Sequence, residues 1–135
     1  MSQEDPIRKR FEGEPALSTL VMPDDLALAA RMEEKLAQYS QQKDVLEHEV
    51  RNLQQQLLTA SPQERGALQQ SLLETEVRLR SATYKGFILE ELLNTKRIDF
   101  AELAARIKTT EEPHPYAYYT FMEAFGIIRN EVLHS

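Results

Sequence analysis

Three residues whose chemistry could serve a reaction lie near the end of the sequence, in the segment IIRNEVLHS: Arg129, Asn130 and His134. An imidazole titrates near neutral pH and can therefore take up or release a proton during a reaction. A guanidinium offers several N–H donors in a fixed geometry that suits phosphate oxygens. These residue types are therefore compatible with chemistry at a phosphate ester. The same two cations are also favoured in the last turn of a helix for electrostatic reasons alone.

This segment resembles the R-x4-H motif of the HEPN family (higher eukaryote and prokaryote nucleotide-binding), whose helical-bundle members include many metal-independent ribonucleases. The resemblance covers residues 129–134. It implies that His134 acts in general acid–base chemistry, that Arg129 stabilises phosphate charge and that Asn130 belongs to the same site. It also implies that the site lies in a cleft between two protomers. A ribonuclease or toxin-type protein is therefore one alternative function.

Elsewhere the sequence offers little for catalysis. His48 and His114 do not stand at a spacing that suits a shared metal ion, and the chain has no Cys. The paired carboxylates are adjacent in sequence, and adjacent residues on a helix point about 100° apart. They therefore do not form an acid–base dyad locally. The first interpretation is that the protein is not an enzyme and uses no cofactor and no metal.

The elements that would position these residues follow a heptad pattern. Pro23, Asp24 and Asp25 suit the start of a helix, and apolar residues then recur at alternating spacings of three and four. Such a seam is typical of a coiled coil. The seam of this first helix is Ala29, Met32, Leu36, Tyr39, Lys43, Leu46, Val50, Leu53 and Leu57.

The helix breaks and restarts in the segment ASPQE. Ser61 suits the N-cap position, Pro62 suits the first helical position and Glu64 completes a capping box. The chain is therefore predicted to turn near 58–62, and two helices joined by so short a connection pack antiparallel. The seam of the second helix is Leu68, Leu72, Thr75, Leu79, Ala82, Gly86, Leu89 and Leu93.

Side-chain sizes complement each other when the two seams are paired. The register places the bulky Tyr39 opposite Gly86 and places Lys43 opposite Ala82. We expect the missing side chain at Gly86 to make room for the ring of Tyr39. Lys43 is predicted at a core position, where a polar residue can fix register or oligomeric state.

At the end of the hairpin away from the turn, in YKGFILEELL, the second helix becomes apolar over more than one face, which predicts burial on several sides. Two shorter helices supply the cover, the first of them capped by Asp99. The sequence pattern of these two helices, FAELAARI followed by YYTFMEAFGII, also resembles a helix-turn-helix. A regulator of that kind is therefore a further alternative. The candidate recognition helix carries no Lys, Arg, Asn or Gln near its start to read bases or contact phosphates.

Four residues are predicted to form contacts with a protein partner. Tyr116 and Tyr119 lie on the face opposite Phe121 and Phe125, and Tyr is enriched at protein interfaces. Leu73 and Val77 form an apolar strip outside the seam. Because a bare pair of helices leaves its seam half covered, we expect self-association as a homodimer, or docking onto a partner helix.

The sequence as a whole predicts an all-α protein, with a long antiparallel coiled-coil helical hairpin and a small C-terminal helical subdomain. Residues 1–22 are predicted to be a flexible N-terminal arm, residues 23–94 the hairpin, and residues 95–135 a head packed on its base. The expected function is that of a non-enzymatic protein–protein interaction module: an adaptor, an assembly scaffold or a chaperone-like subunit of a larger complex.

Charge and hydropathy indicate which classes of partner and which location the sequence disfavours. The net charge is −6 and no segment is basic, which disfavours nucleic acid because its binders usually carry a basic face. No apolar run approaches the roughly 18–20 residues of a membrane span. The first residues lack the apolar segment of a secretory signal. The expected location is therefore the cytoplasm.

Overall fold

The computed structural model describes residues 19–110 and 117–134. Within these ranges the chain forms four helices and a sheet of two short strands. The helices are α1 (Leu26–Thr59), α2 (Pro62–Thr95), α3 (Phe100–Thr110) and α4 (Ala117–Leu133), and the strands are β1 (Thr19–Val21) and β2 (Arg97–Asp99). The two long helices pack as a hairpin and the smaller C-terminal helices lie at its base, which confirms the predicted all-α fold.

The ends of the long helices are fixed by side-chain caps. The Asp25 carboxylate accepts hydrogen bonds from the backbone N–H groups of Ala27 and Leu28. α1 therefore begins just after Asp25, where the sequence predicts a helix start. Ser61 Oγ accepts from the Glu64 N–H at 3.3 Å, and Pro62 takes the first helical position of α2. The predicted turn is therefore confirmed, because these groups satisfy donors that a helix start leaves unpaired.

Burial along the seam changes from the base of the hairpin to its tip. Near the base, Met32, Tyr39 and Leu89 are buried, since the head covers them. Towards the tip most side chains of the seam are partly exposed, although Thr75 is buried. These partly exposed residues are Leu46, Val50, Leu53, Leu57, Leu68 and Leu72.

Two expectations for the seam are corrected. Lys43 lines the same hollow as Tyr39, Ala82 and Gly86, but it is exposed rather than buried, and its ammonium lies 3.8 Å from Glu47. A two-helix seam is open at both sides, so a long side chain can carry its charge to water. Gly86 does lie beside Tyr39, yet a Cβ there would make only ordinary contact, 4.0 Å from Tyr39 Cβ. The ring of Tyr39 therefore does not need the glycine.

The last part of the predicted flexible arm belongs to the core. β1 pairs antiparallel with β2, with Leu20 opposite Ile98, and both side chains are buried. Lys96 connects α2 to β2 in the left-handed conformation, with φ 66°, and its carbonyl accepts a hydrogen bond from the Met22 N–H. Residues 19–22 of the arm predicted for 1–22 are therefore part of the folded structure, in which the apolar Leu20 and Met22 are buried, and residues 1–18 lie outside the described residues.

An aromatic cluster forms the centre of the head. The ring of Phe100, at the start of α3, packs on Phe121 and Phe125 of α4 at centroid distances of 5.6 and 5.2 Å. Phe121 in turn meets Tyr84 of α2 edge to face at 5.7 Å. These contacts seat α3 and α4 on the base of the hairpin.

Candidate functional site

The motif residues of the ribonuclease alternative lie at the end of α4. Arg129 is half-buried, whereas Asn130 and His134 are exposed. The His134 N–H donates to the Asn130 carbonyl, so the last helical turn extends to His134. Residues five apart on a helix point about 140° from each other. The side chains of Arg129 and His134 therefore diverge within one chain, and a shared site would need a second copy.

Next to the motif, Glu131 joins α4 to α1. The hydroxyl of Tyr39 donates to Glu131 Oε1 at 2.7 Å, and the Lys35 ammonium lies 3.7 Å from the same oxygen. Burial, followed by the hydrogen bond to Glu131 and its charge, raises the pKa of Tyr39 far above its ordinary value. Lys85 also lies 5.6 Å from the centre of the Tyr39 ring. This cluster joins three helices through Glu131 Oε1, the Tyr39 hydroxyl and ring, and the ammonium groups of Lys35 and Lys85.

The predicted contact residues Leu73 and Val77 lie on the outer edge of α2, the edge that points away from α1. Val77 lies two residues from both Thr75 and Leu79 of the seam, which places it about 200° from each. Leu73 and Val77 are 52% and 43% exposed. One heptad further on, the same edge carries Tyr84, which is buried against Phe121. The head therefore covers this apolar edge at Tyr84 and leaves it open at Leu73 and Val77.

Of the two tyrosines predicted to contact a partner, the structure describes Tyr119. Tyr119 is 46% exposed, and Tyr118 packs between it and Phe100. Tyr116 lies outside the described residues. Much of α4 is core, which bears on the helix-turn-helix alternative because a recognition helix must present its side chains to a groove. The buried residues of α4 are Ala117, Phe121, Met122, Ala124, Phe125, Ile128 and Val132.

A further surface was not singled out by the sequence analysis. One side of the hairpin, here called the groove face, has an open hollow of about 620 Å³ between α1 and α2. Two apolar residues of the seam, Leu46 and Ala82, form its floor, and Val45 at its wall is 62% exposed. The heptad positions flanking the seam were the available signal, but Gln and Ser there read as ordinary solvated residues. The other lining residues are Gln38, Gln41, Gln42, Arg78, Ser81 and Lys85.

The described ranges, 19–110 and 117–134, contain neither a candidate metal cluster nor a candidate membrane span. No three His, Cys, Asp or Glu side chains in these ranges come together as they would around a metal ion. None of the described helices combines the length and the hydropathy of a membrane span.

The fold thus defined is a long helical hairpin with a small helical head. No family model matches the chain, and no curated protein and no solved structure matches it either.

Proposed function

We propose that this chain is a non-enzymatic protein–protein interaction module, an adaptor, assembly scaffold or chaperone-like subunit, that binds a partner protein along the outer edge of α2. The observation that carries the proposal is the continuity of that edge. The apolar line that seats the head at Tyr84 extends past it to Val77 and Leu73, which remain exposed.

The exposed part of the edge has the properties of a docking surface for a helix. Leu73 and Val77 are four residues apart, so they lie one above the other on a rigid helix. Covering two such half-exposed side chains contributes about 2 kcal/mol. That is a useful part of a binding energy but too little for a whole interface. A partner must therefore also contact the polar surroundings of the strip, which supplies specificity.

The head itself illustrates how a helix docks on this edge. Phe121 of α4 packs against Tyr84, and Arg80 lies beside them, donating to the Tyr84 hydroxyl at 3.0 Å. An aromatic or aliphatic side chain from a partner helix would meet Val77 in the same way, one turn or two nearer the hairpin tip. The proposed partner is therefore an amphipathic helix that presents large apolar side chains.

The test is site-specific photo-crosslinking in native lysate. The full chain carries a photoreactive phenylalanine analogue at Val77, and, as a matched control, at Leu58, an exposed apolar residue near the tip of α1. We expect one stoichiometric protein to crosslink at position 77 and not at 58. Treatment of the lysate with ribonuclease should leave that crosslink unchanged.

Variants complete the test. Leu73→Asp with Val77→Asp should abolish binding of the crosslinked protein, while Leu58→Asp should leave it intact, with circular dichroism showing that both remain folded. Recovery of RNA alone, lost in Arg129→Ala or His134→Ala, would instead favour the ribonuclease alternative. Recovery of duplex DNA would favour the helix-turn-helix alternative. Either of the last two results contradicts the proposal.

A further inference from the structure

The groove face carries a second hollow, related to the first by the heptad repeat. This hollow lies at the hairpin tip and is lined by Gln56, Thr59, Glu64, Ala67 and Leu68. Gln56 and Thr59 follow Gln42 and Val45 of the first hollow by two heptads, and Glu64 precedes Arg78 by the same interval. Residues at heptad spacing share one side of a helix. The two hollows therefore open on the same face, about 21 Å apart.

The two hollows carry opposite charge. Among the described residues, the first is lined by Arg78 and Lys85 and by no carboxylate. The tip hollow is lined by Glu64 and, within the part of the chain that the structure describes, by no cation. Since Arg78 and Glu64 occupy equivalent positions on α2, the face has a basic end and an acidic end. A face of this kind is complementary to an inverted copy of itself.

The head determines which way a second copy can approach. Ser81 and Lys85 of the first hollow lie one heptad before Ile88 and Leu92, which are fully buried at the base. α4 reaches from Tyr84 on α2 to Tyr39 on α1, so it stands on the groove face there. Two copies in parallel would bring their heads against each other. In an antiparallel arrangement the tip of each hairpin lies against the open groove of the other, next to its head.

We infer that the groove face is the interface of a homodimer in which two hairpins pack antiparallel. The twofold axis passes near Ser71, midway between Glu64 and Arg78, so α2 faces α2 and α1 faces α1. Arg78 then lies opposite Glu64 of the partner subunit, and the contact occurs twice. Val45, which is 62% exposed, and the partly exposed Leu46 lose their exposure to water. The inference does not depend on the proposed function, because Leu73 and Val77 point to the side and stay accessible.

The size of the surface predicts the strength of the dimer. The open part of the face, from the edge of the head to the tip, is about 27 Å long and about 20 Å wide. Each copy thus offers about 500 Å², and a total near 1,000 Å² lies at the lower limit of specific interfaces. We therefore expect a reversible dimer with a micromolar dissociation constant.

Disulfide trapping tests the geometry. The chain has no Cys, so introduced thiols act alone. Glu64→Cys combined with Arg78→Cys should form a disulfide-linked dimer under mild oxidation, whereas each single variant should not. The two positions on one helix are about 21 Å apart, which is too far for a bridge within one chain because disulfide Cα atoms lie within about 7 Å. Ser71→Cys should link to its own copy, and Gln69→Cys, its control on the same helix, should not.

Sedimentation equilibrium up to about 500 μM tests the charges. Arg78→Glu should weaken the dimer about tenfold, and the double variant Arg78→Glu with Glu64→Arg should restore it. Leu73→Asp with Val77→Asp should leave it unchanged, which separates this inference from the proposed function. A chain that stays monomeric throughout, or a dimer that links at Gln69→Cys but not at Ser71→Cys, would overturn the inference.

Discussion

The hydroxyl of Tyr39 donates a 2.7 Å hydrogen bond to Glu131, a residue 92 positions further along the chain. This contact joins the first long helix to the last helix, across the face of the hairpin. Glu131 has a second carboxylate oxygen, Oε2, that is buried and has no hydrogen-bond partner within the described residues. The bond from Tyr39 is therefore the principal compensation for placing this carboxylate at the base of the hairpin.

Removing the Tyr39 hydroxyl should show how much this hydrogen bond contributes to stability. Tyr39→Phe keeps the ring and its packing but removes a hydrogen bond to Glu131, which keeps its ion pair with Lys35. We therefore expect the free energy of unfolding to fall by about 1–2 kcal/mol. The measurement is urea denaturation followed by circular dichroism. Glu131→Met in the Tyr39→Phe background should recover part of the loss, because replacing both partners removes the unpaired carboxylate. Additive losses in the double variant would contradict a direct bond.

The same tyrosine should make stability depend on alkaline pH. Its pKa is raised in the folded protein, mainly by burial, whereas in the unfolded chain it titrates near 10. A raised folded pKa gives a contribution that is complete below about pH 10 and is lost as pH rises above it, since only the unfolded chain then releases the proton. Wild type should therefore lose more stability between pH 8 and pH 11 than Tyr39→Phe does. Parallel pH dependence in the two proteins would show that Tyr39 ionises normally.

Gly86 offers a stabilising substitution. A Cβ at this position would lie 3.9 Å from Leu36 Cδ1 and 4.0 Å from Tyr39 Cβ, which are ordinary van der Waals contacts. Glycine inside a helix costs about 1 kcal/mol relative to alanine. We expect Gly86→Ala to raise the free energy of unfolding by about 0.5–1 kcal/mol, measured in the same urea assay. Gly66→Ala, where a Cβ would meet nothing within 4 Å, is the matched control and should give a similar gain.

Local chemistry made the hairpin predictable from the sequence. Ser61, Pro62 and Glu64 determine where the second helix begins, and the heptad spacing determines which sides of the two helices meet. The paired seams also place Tyr39 beside Gly86 correctly. Side-chain size alone did not predict the contacts of Tyr39. Its hydroxyl donates to Glu131 and its ring lies beside Lys85, and neither contact depends on space at Gly86.

Contacts that depend on tertiary packing were not predictable in this way. The strands β1 and β2 are three residues each, too short for an alternating pattern, and their pairing joins segments on either side of the whole hairpin. The groove face was missed for a related reason. Each of its two hollows is formed by residues from both long helices: Gln42 and Arg78 line the first, and Gln56 and Glu64 line the one at the tip. The hollows therefore become visible only in three dimensions.

The junction after α2 carries the last prediction. Lys96 has φ 66°, a conformation that costs a residue with a Cβ about 1 kcal/mol and costs glycine little. Its N–H donates to the Leu92 carbonyl and its carbonyl accepts from Met22, so its backbone bonds are retained whatever the side chain. Lys96→Gly should therefore stabilise the protein by about 0.5–1 kcal/mol, and Lys96→Val should destabilise it by more than that. Lys96→Ala controls for loss of the ammonium and should change stability little. If Gly and Val behaved alike, the left-handed turn would not form in solution, and the pairing of β1 with β2 would have to be reached by a different path of the chain.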